Sequence, residues 1–189
     1  MEKNKTWQIL NKSIDYQCKI ATINKMDCYL PSKDIHNNFI SMELHDWANV
    51  FAIDTDNQVI MVKQHRLGAD LITIEVPAGT LDYNEDPKTA AIRELEEETG
   101  YSPGEIVLLK SILVNPAIQT NRCYFFLATN CKKTKEISLD DTEEIDILKY
   151  DLHYIFDSRN NDLIENSITL LSIMLAKDYI LQHKTEVSQ

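Results

Sequence analysis

Apolar residues run through most of this chain in short blocks or strict alternation, and they keep a helical period in only two places. Thr6–Leu10, Tyr16–Asn24, Asp27–Leu30 and Phe39–Leu44 are predicted as short strands, with Asn-Lys pairs and Pro31-Ser32 as the turn signals between them. Trp47–Ile53 and Gln58–Gln64 are predicted to form a hairpin across the polar turn Asp54–Asn57. The run Val59-Ile60-Met61-Val62 is apolar without alternation, which suits a central strand covered on both faces. Further strands are expected at Leu71–Glu75, Glu105–Val114, Cys123–Ala128 and Ile145–Leu148. The helical stretches are Pro87–Thr99 and a C-terminal segment from Leu163. In the second, Ile164, Ile168, Leu171, Leu175 and Tyr179 share one face, and Asp162 is the expected cap.

Residues 1–45 hold too few apolar residues for a core of their own and form an N-terminal β segment. Residues 46–182 make the main domain, and residues 183–189 a flexible tail. At 189 residues with 43% hydrophobic and 26% charged residues, the composition is that of an ordinary globular protein. A net charge of −11 argues against an electrostatic grip on long nucleic acid. A phosphate-bearing substrate would therefore need local compensation from metal ions and a few placed arginines. Cys18, Cys28, Cys123 and Cys131 lack zinc spacing, and Met1–Leu10 does not read as a secretory signal, so reduced thiols in the cytoplasm are expected. Nothing reaches the length of a membrane span.

The chemistry is concentrated between Gly79 and Tyr101. Asp86 is a good N-cap, Pro87 a good first helical residue, and Gly100 supplies a left-handed C-terminal position. On the helix between them, Glu94, Glu97 and Glu98 fall within an arc of roughly 100°. Ala91, Ile92, Leu95 and Thr99 lie round the other side, and Arg93 sits one turn before Glu97, where it can hold that carboxylate. A solvated charged face is the plain alternative, but it would normally place a cation four residues after a Glu. Here Glu98 follows Glu94 at that spacing, a like-charge pair that a hard divalent cation explains better.

These residues resemble the signature of the Nudix hydrolases, G-x5-E-x7-R-E-U-x-E-E-x-G-U with U bulky and apolar. Gly79, Glu85, Arg93, Glu94, Leu95, Glu97, Glu98 and Gly100 fill it, and Tyr101 stands as an aromatic at the last U. Seven specified residues would coincide by chance in on the order of one chain in a million. The resemblance covers roughly residues 45 to 180. It implies the Nudix α/β/α sandwich with a mixed sheet, the box forming a loop–helix–loop. It also implies Mg²⁺, or Mn²⁺, held by Glu94, Glu97, Glu98 and the Ala78 carbonyl, with the number of ions open. Glu85 would support the site from behind, Arg93 would orient the carboxylates, and Gly79 and Gly100 would shape the backbone.

Gln64-His65-Arg66 and Glu75-Val-Pro-Ala-Gly79 are similar to segments of the branch that cleaves ADP-ribose and nucleotide sugars. On that resemblance Arg66 and Glu75 belong to the substrate side, while His65 replaces the usual aromatic and receives no role. Pro116, 16 residues beyond Gly100, resembles a proline that accompanies ADP-ribose activity, with a plain turn proline as the alternative. Asn115, Gln119 and Arg122 lie in the loop ahead of a buried strand, where they could reach a nucleotide. In the acidic stretch from Asp140, Glu143 or Glu144 would be the general base, with Glu144 preferred, and Glu98 would join the catalytic set. The β segment at 1–45 resembles one that builds homodimers in this branch. The implied function is Mg²⁺-dependent hydrolysis of ADP-ribose or a related nucleoside diphosphate sugar, giving a nucleoside monophosphate and a sugar phosphate. The alternatives are another X-linked nucleoside diphosphate, such as a dinucleoside polyphosphate or coenzyme A, and a non-catalytic nucleotide sensor.

Overall fold

The computed structural model describes residues 5–140, 142–157, 160 and 163–186. The chain forms two compact units, Met1–Asp46 with Ile112–Arg122, and Trp47–Ser111 with Cys123–Gln189.

In the first unit, β1 (Gln8–Gln17), β2 (Ala21–Leu30) and β3 (Ile35–Leu44) form an antiparallel meander. Three long strands replace the four short ones expected. The Asn-Lys pairs proved not to be turns: Asn24-Lys25 lies in unbroken pairing with Ser41 and Ile40. Asn11-Lys12 follows a register shift between Ile9 and Asn11, where an extra residue is absorbed without ending the strand. Pro31 does mark a turn, closed by Asp34 in the left-handed region at φ 58. The 112–122 stretch joins this unit through bonds from Met42 N–H to the Ile118 carbonyl (2.7 Å) and from Thr120 N–H to the Met42 carbonyl (3.1 Å).

The second unit is built on eight strands among the described residues. β4 (Trp47–Asp54) runs antiparallel to β5 (Gln58–Arg66) and parallel to β10 (Arg122–Lys133), so the sheet is mixed. β11 (Ile145–Asp151) pairs with β5, and β8 (Tyr101–Ser102) and β9 (Glu105–Leu113) pair with β10. β6 (Leu71–Glu75) adds to β5, and the short β7 (Ala78–Thr80) adds to β4.

Strand alternation divides the core into two layers. Ala48, Val50, Ala52, Ile60, Phe126 and Ala128 face α1 (Pro87–Thr99) and its Ala90, Ala91 and Leu95. Phe51, Ile53, Val59, Met61 and Leu127 face the other way, onto α2 (Leu152–Phe156) and α3 (Ser167–Glu186). Helices thus cover both faces of a mixed sheet, the expected α/β/α sandwich, and Val59–Val62 is buried throughout as a two-faced strand must be.

The C-terminal helix departs from its reading. Its most buried positions are Thr169, Ser172, Ile173 and Ala176, a stripe rotated from the larger apolar residues Ile168, Leu171 and Leu175. Small side chains let the helix approach the sheet closely, and Thr169 Oγ1 accepts the Val76 N–H at 3.3 Å. Periodicity in large hydrophobics could not reveal a stripe made partly of Thr, Ser and Ala. Asp162 lies outside the described residues. The cap observed is Asn166, whose Oδ1 accepts from the N–H groups of Ile168 (2.9 Å) and Thr169 (3.0 Å).

Candidate active site

The site assembles around α1 and the strand β7 that precedes it. Asp86 caps the helix through bonds from Lys88 and Thr89 N–H, and Gly100 closes it at φ 76. This frame puts Arg93 at the centre of an acidic cradle. Its Nε and Nη2 bind the Glu85 carboxylate at 2.9 and 3.0 Å, and Nη2 also reaches the Thr80 carbonyl at 3.1 Å. Its Nη1 holds Glu94 at 2.8 Å and Glu97 at 3.0 Å. Glu85, Glu94 and Glu97 are thus all held by the one guanidinium. The guanidinium holds Glu85 below the usual carboxylate range.

Glu98 points the other way, into the protein, and is 4% exposed. One of its oxygens accepts the Ala78 N–H at 3.0 Å, which ties the helix to β7. Burial pushes Glu98 well above the usual carboxylate range, and the charges of Glu94 and Glu143 push it further, against Ala78 N–H and Arg66. Burial also pushes Glu94 up to about 7, although Arg93 pulls the other way. Arg93 balances Glu94 in part, while Glu98 is bonded by a backbone N–H. A cation bound between the two carboxylates would reverse the cost of burial.

Gly79 sits against the same cluster. A Cβ there would lie 2.1 Å from the Glu94 carboxyl carbon. Its φ is not in the left-handed region, which among the described glycines only Gly100 adopts. The sequence reading gave Gly79 backbone freedom, and the structure gives it a different role: it clears the space that the Glu94 carboxylate fills. Among the described residues, no three acidic, histidine or cysteine side chains converge on one point at metal-binding spacing. Glu94 and Glu97 instead lean on Arg93. The donor chemistry fits a hard divalent ion all the same, since the carboxylates of Glu98, buried on the Ala78 N–H, and of Glu94, half-buried beside Gly79, supply oxygen ligands.

Next to the carboxylates lies a pocket of about 390 Å³, with Ala78, Gly79 and Thr80 as one wall. Arg66 and Glu75 enter it as a bidentate pair, Nε to Oε1 at 2.9 Å and Nη2 to Oε2 at 2.7 Å. Burial would raise Glu75, but bonds from Arg66 and Thr73 outweigh it and hold the carboxyl below its usual range. Trp47, Asn49, Asn166 and Ile168 complete the lining. Sequence reasoning missed these four, since they come from two segments far from the box. The signal for Asn166 was present, an Asn directly before a helical run.

Glu143 acts electrostatically on Arg66, Glu94 and Glu98. Asn115, Pro116, Gln119 and Arg122 belong to the first unit. Pro116 is the second residue of a turn in which the Asn115 carbonyl accepts from Ile118 N–H (3.1 Å) and Gln119 N–H (2.7 Å). The Arg122 N–H donates to Asp46 Oδ1 at 2.7 Å.

Residues 43–163 match the NUDIX domain. The chain belongs to that family. A methanol dehydrogenase activator of Bacillus methanolicus is 32% identical over 137 residues, 71% of this chain and 74% of that protein. An ADP-ribose pyrophosphatase of Bacillus subtilis is 33% identical over 104 residues, 54% of this chain and 56% of that protein. One of Saccharomyces cerevisiae is 34% identical over 102 residues, 51% of this chain and 44% of that protein, so the chain spans about half of each pyrophosphatase. A crystal structure of an ADP compounds hydrolase shares the fold at a TM-score of 0.83 and 18% identity, over 94% of this chain and 95% of that one. Within the Nudix family these likenesses place the chain in the ADP-ribose and nucleoside diphosphate sugar branch, whose hydrolases act on phosphoanhydride bonds.

Proposed function

We propose that this chain hydrolyses the pyrophosphate bond of ADP-ribose or a closely related nucleoside diphosphate sugar, releasing a nucleoside monophosphate and a sugar phosphate. The observation that carries this reading is the placement of the Glu94 and Glu98 carboxylates, one beside Gly79 and one on the Ala78 N–H, next to an arginine-bearing pocket that shares the same short strand as a wall. A nucleotide diphosphate needs both, a cation for its phosphates and a dry, partly aromatic cleft for the rest. The pyrophosphatases of Bacillus subtilis and Saccharomyces cerevisiae support the substrate class.

Mg²⁺ or Mn²⁺ held by Glu94, Glu98 and the Ala78 carbonyl, with Glu97 alongside, would neutralise the diphosphate and acidify the attacking water. The chain's own residues do the rest. Arg93 keeps Glu94 and Glu97 oriented, so the cluster does not collapse onto solvent. Arg66 uses Nε and Nη2 on Glu75, which leaves its Nη1 edge to meet a phosphate or sugar oxygen. Trp47 offers a flat apolar wall at the pocket. Of the two candidate bases we assign Glu143, since its charge acts at Glu94 and Glu98.

Strand β1 supports a homodimer as the working form. It is exposed along its whole length, with Ile9, Leu10, Ile14 and Tyr16 each more than half exposed at a sheet edge. No helix of the described residues is long and apolar enough to cross a membrane. All four cysteines are free, which supports a reducing, cytoplasmic setting. A second reading, regulation of another enzyme, draws on the likeness to the methanol dehydrogenase activator.

The test is incubation with Mg²⁺ and a panel of ADP-ribose, ADP-glucose, GDP-mannose, NADH, coenzyme A and diadenosine polyphosphates, with products separated and identified. Metal-dependent release of AMP or GMP from a diphosphate sugar is expected. Saturable binding across the panel without turnover would reject hydrolysis in favour of the regulatory reading.

A further inference from the structure

Thr73 is the third member of the group that holds Arg66. On the β5–β6 ribbon Arg66 faces Leu71, Gln64 faces Thr73 and Val62 faces Glu75. Paired strand residues share a face, so Gln64, Arg66, Thr73 and Glu75 stand on one side of the ribbon, with the Gln64–Thr73 pair between Arg66 and Glu75. The Arg66 side chain, 45% exposed, reaches back past this pair to a Glu75 side chain that is 3% exposed. Thr73 is itself buried. Its Oγ1 donates to Glu75 Oε1 at 2.5 Å, the oxygen that also accepts Arg66 Nε at 2.9 Å. The contact from the same hydroxyl to the Gln64 carbonyl is longer, at 3.5 Å, so its one hydrogen is spent on the carboxylate.

We infer that Thr73 is a positioning residue for the ligand: its hydroxyl pins the Glu75 carboxylate to β6 and thereby sets the direction in which Arg66 is presented to the pocket. An arginine and a glutamate bonded to each other keep several free torsions and can swing as a pair. Thr73 is β-branched and sits within a strand, so its χ1 is restricted and its oxygen is a fixed point. Fixing one carboxylate oxygen fixes the plane of the bidentate pair, and with it the remaining edge of the guanidinium. Side-chain order already present in the free protein is not lost on binding, which favours affinity. The inference rests on the proposed reading of this pocket, which Arg66 and Glu75 both line, as a nucleotide site.

Two substitutions separate the hydroxyl from the packing. Thr73→Val keeps the branching and removes the hydroxyl, whereas Thr73→Ser keeps the hydroxyl and removes a methyl. Three measurements apply to wild type and both variants: calorimetric affinity for ADP-ribose in EDTA, kcat and KM with Mg²⁺, and solvent exchange of the Arg66 Nε–H by nitrogen-15 NMR. Thr73→Val is expected to bind about five- to ten-fold more weakly, with KM rising more than kcat falls and Nε–H exchange several-fold faster. Thr73→Ser is expected to stay within about two-fold of wild type in all three. The opposite ranking, an impaired Thr73→Ser beside a native Thr73→Val, would overturn the inference in favour of packing. Equal behaviour of the two variants, native or impaired, would overturn it as well. So would a Thr73→Val chain that does not fold, since the hydroxyl would then serve the strand itself. If wild type does not bind ADP-ribose, the proposed function fails, and the exchange rates still decide whether Thr73 holds Arg66.

Discussion

Replacing Gly79 by alanine is the sharpest way to test how the site is built. The added Cβ would lie 2.1 Å from the Glu94 carboxyl carbon and from one of its oxygens. Ordinary contact needs about 3.5 Å, so the carboxylate must retreat by more than an ångström. The backbone at Gly79 is not left-handed, and alanine adds no conformational strain there. The cost therefore falls on Glu94. Its 2.8 Å bond to Arg93 is a charge-assisted one of about 1.5–3 kcal/mol, and moving outward recovers part of that through hydration. A net loss of stability of about 1 kcal/mol follows, too little to unfold a domain of this size. Function is hit harder. A carboxylate displaced by an ångström costs on the order of 100-fold in turnover when it must hold a reacting group in place. The assay is ADP-ribose hydrolysis against a Mg²⁺ titration, with thermal melting in parallel. Near-native melting with turnover down about 100-fold and a raised Mg²⁺ midpoint is expected. Native turnover with a native Mg²⁺ midpoint would refute the argument that Gly79 exists to make room for Glu94.

The other expectations are quicker to state. Glu98→Gln should lower turnover by orders of magnitude, yet leave the melting temperature in EDTA equal to wild type or higher, because it removes a buried charge held by a single backbone N–H; a fall of several degrees would contradict this. Glu143→Gln should reduce kcat about 100-fold or more while Glu144→Gln changes it little, and the reverse ranking would return the base to Glu144. Asp54 ties its hairpin through Asp56 and Gln58 N–H and pairs with Lys149 at 2.7 Å. Burial would raise its pKa, but those bonds hold it below the ordinary 3.8, so its contribution is present above that value and is lost as pH falls through the lower one. Asp54→Ala should cost about 2–3 kcal/mol and Asp54→Asn about 1 kcal/mol in denaturant unfolding near neutral pH, with the gap to Asp54→Asn closing in acid; a gap that widens in acid would reject the assignment. Ile14→Lys on β1 should shift the molar mass by light scattering from dimer to monomer, and an unchanged dimer would move the interface elsewhere.

How much of this was legible beforehand depended on how local the cause was. The α1 helix was readable at both ends because a cap and a left-handed glycine act within one turn. Arg93 was readable as the partner of Glu97 for the same reason. Its grip on Glu85, eight residues back, was not readable, the family likeness giving Glu85 only a supporting role without a partner. Trp47, Asn49 and Ile168 were invisible as pocket residues, since nothing in their own segments signals that β7 will pair with β4 and leave a cleft there. The N-terminal strands were miscounted because a bulge just before Asn11-Lys12 lets β1 run on through that pair, and bulges are settled by the partner strand rather than by the residues alone. In the C-terminal segment Ile164 and Tyr179 pack on the core as read, but the most buried positions include Thr169, Ser172 and Ala176, which periodicity in large hydrophobics misreads. That misreading has a functional edge. Thr169 on that stripe accepts the Val76 N–H at 3.3 Å, directly after Glu75. The strand end that carries Glu75 is thus tied to α3, on the far side of the sheet from the catalytic helix. Substitutions that enlarge Thr169 or Ala176 should accordingly disturb ligand affinity before they disturb Glu94 and Glu98.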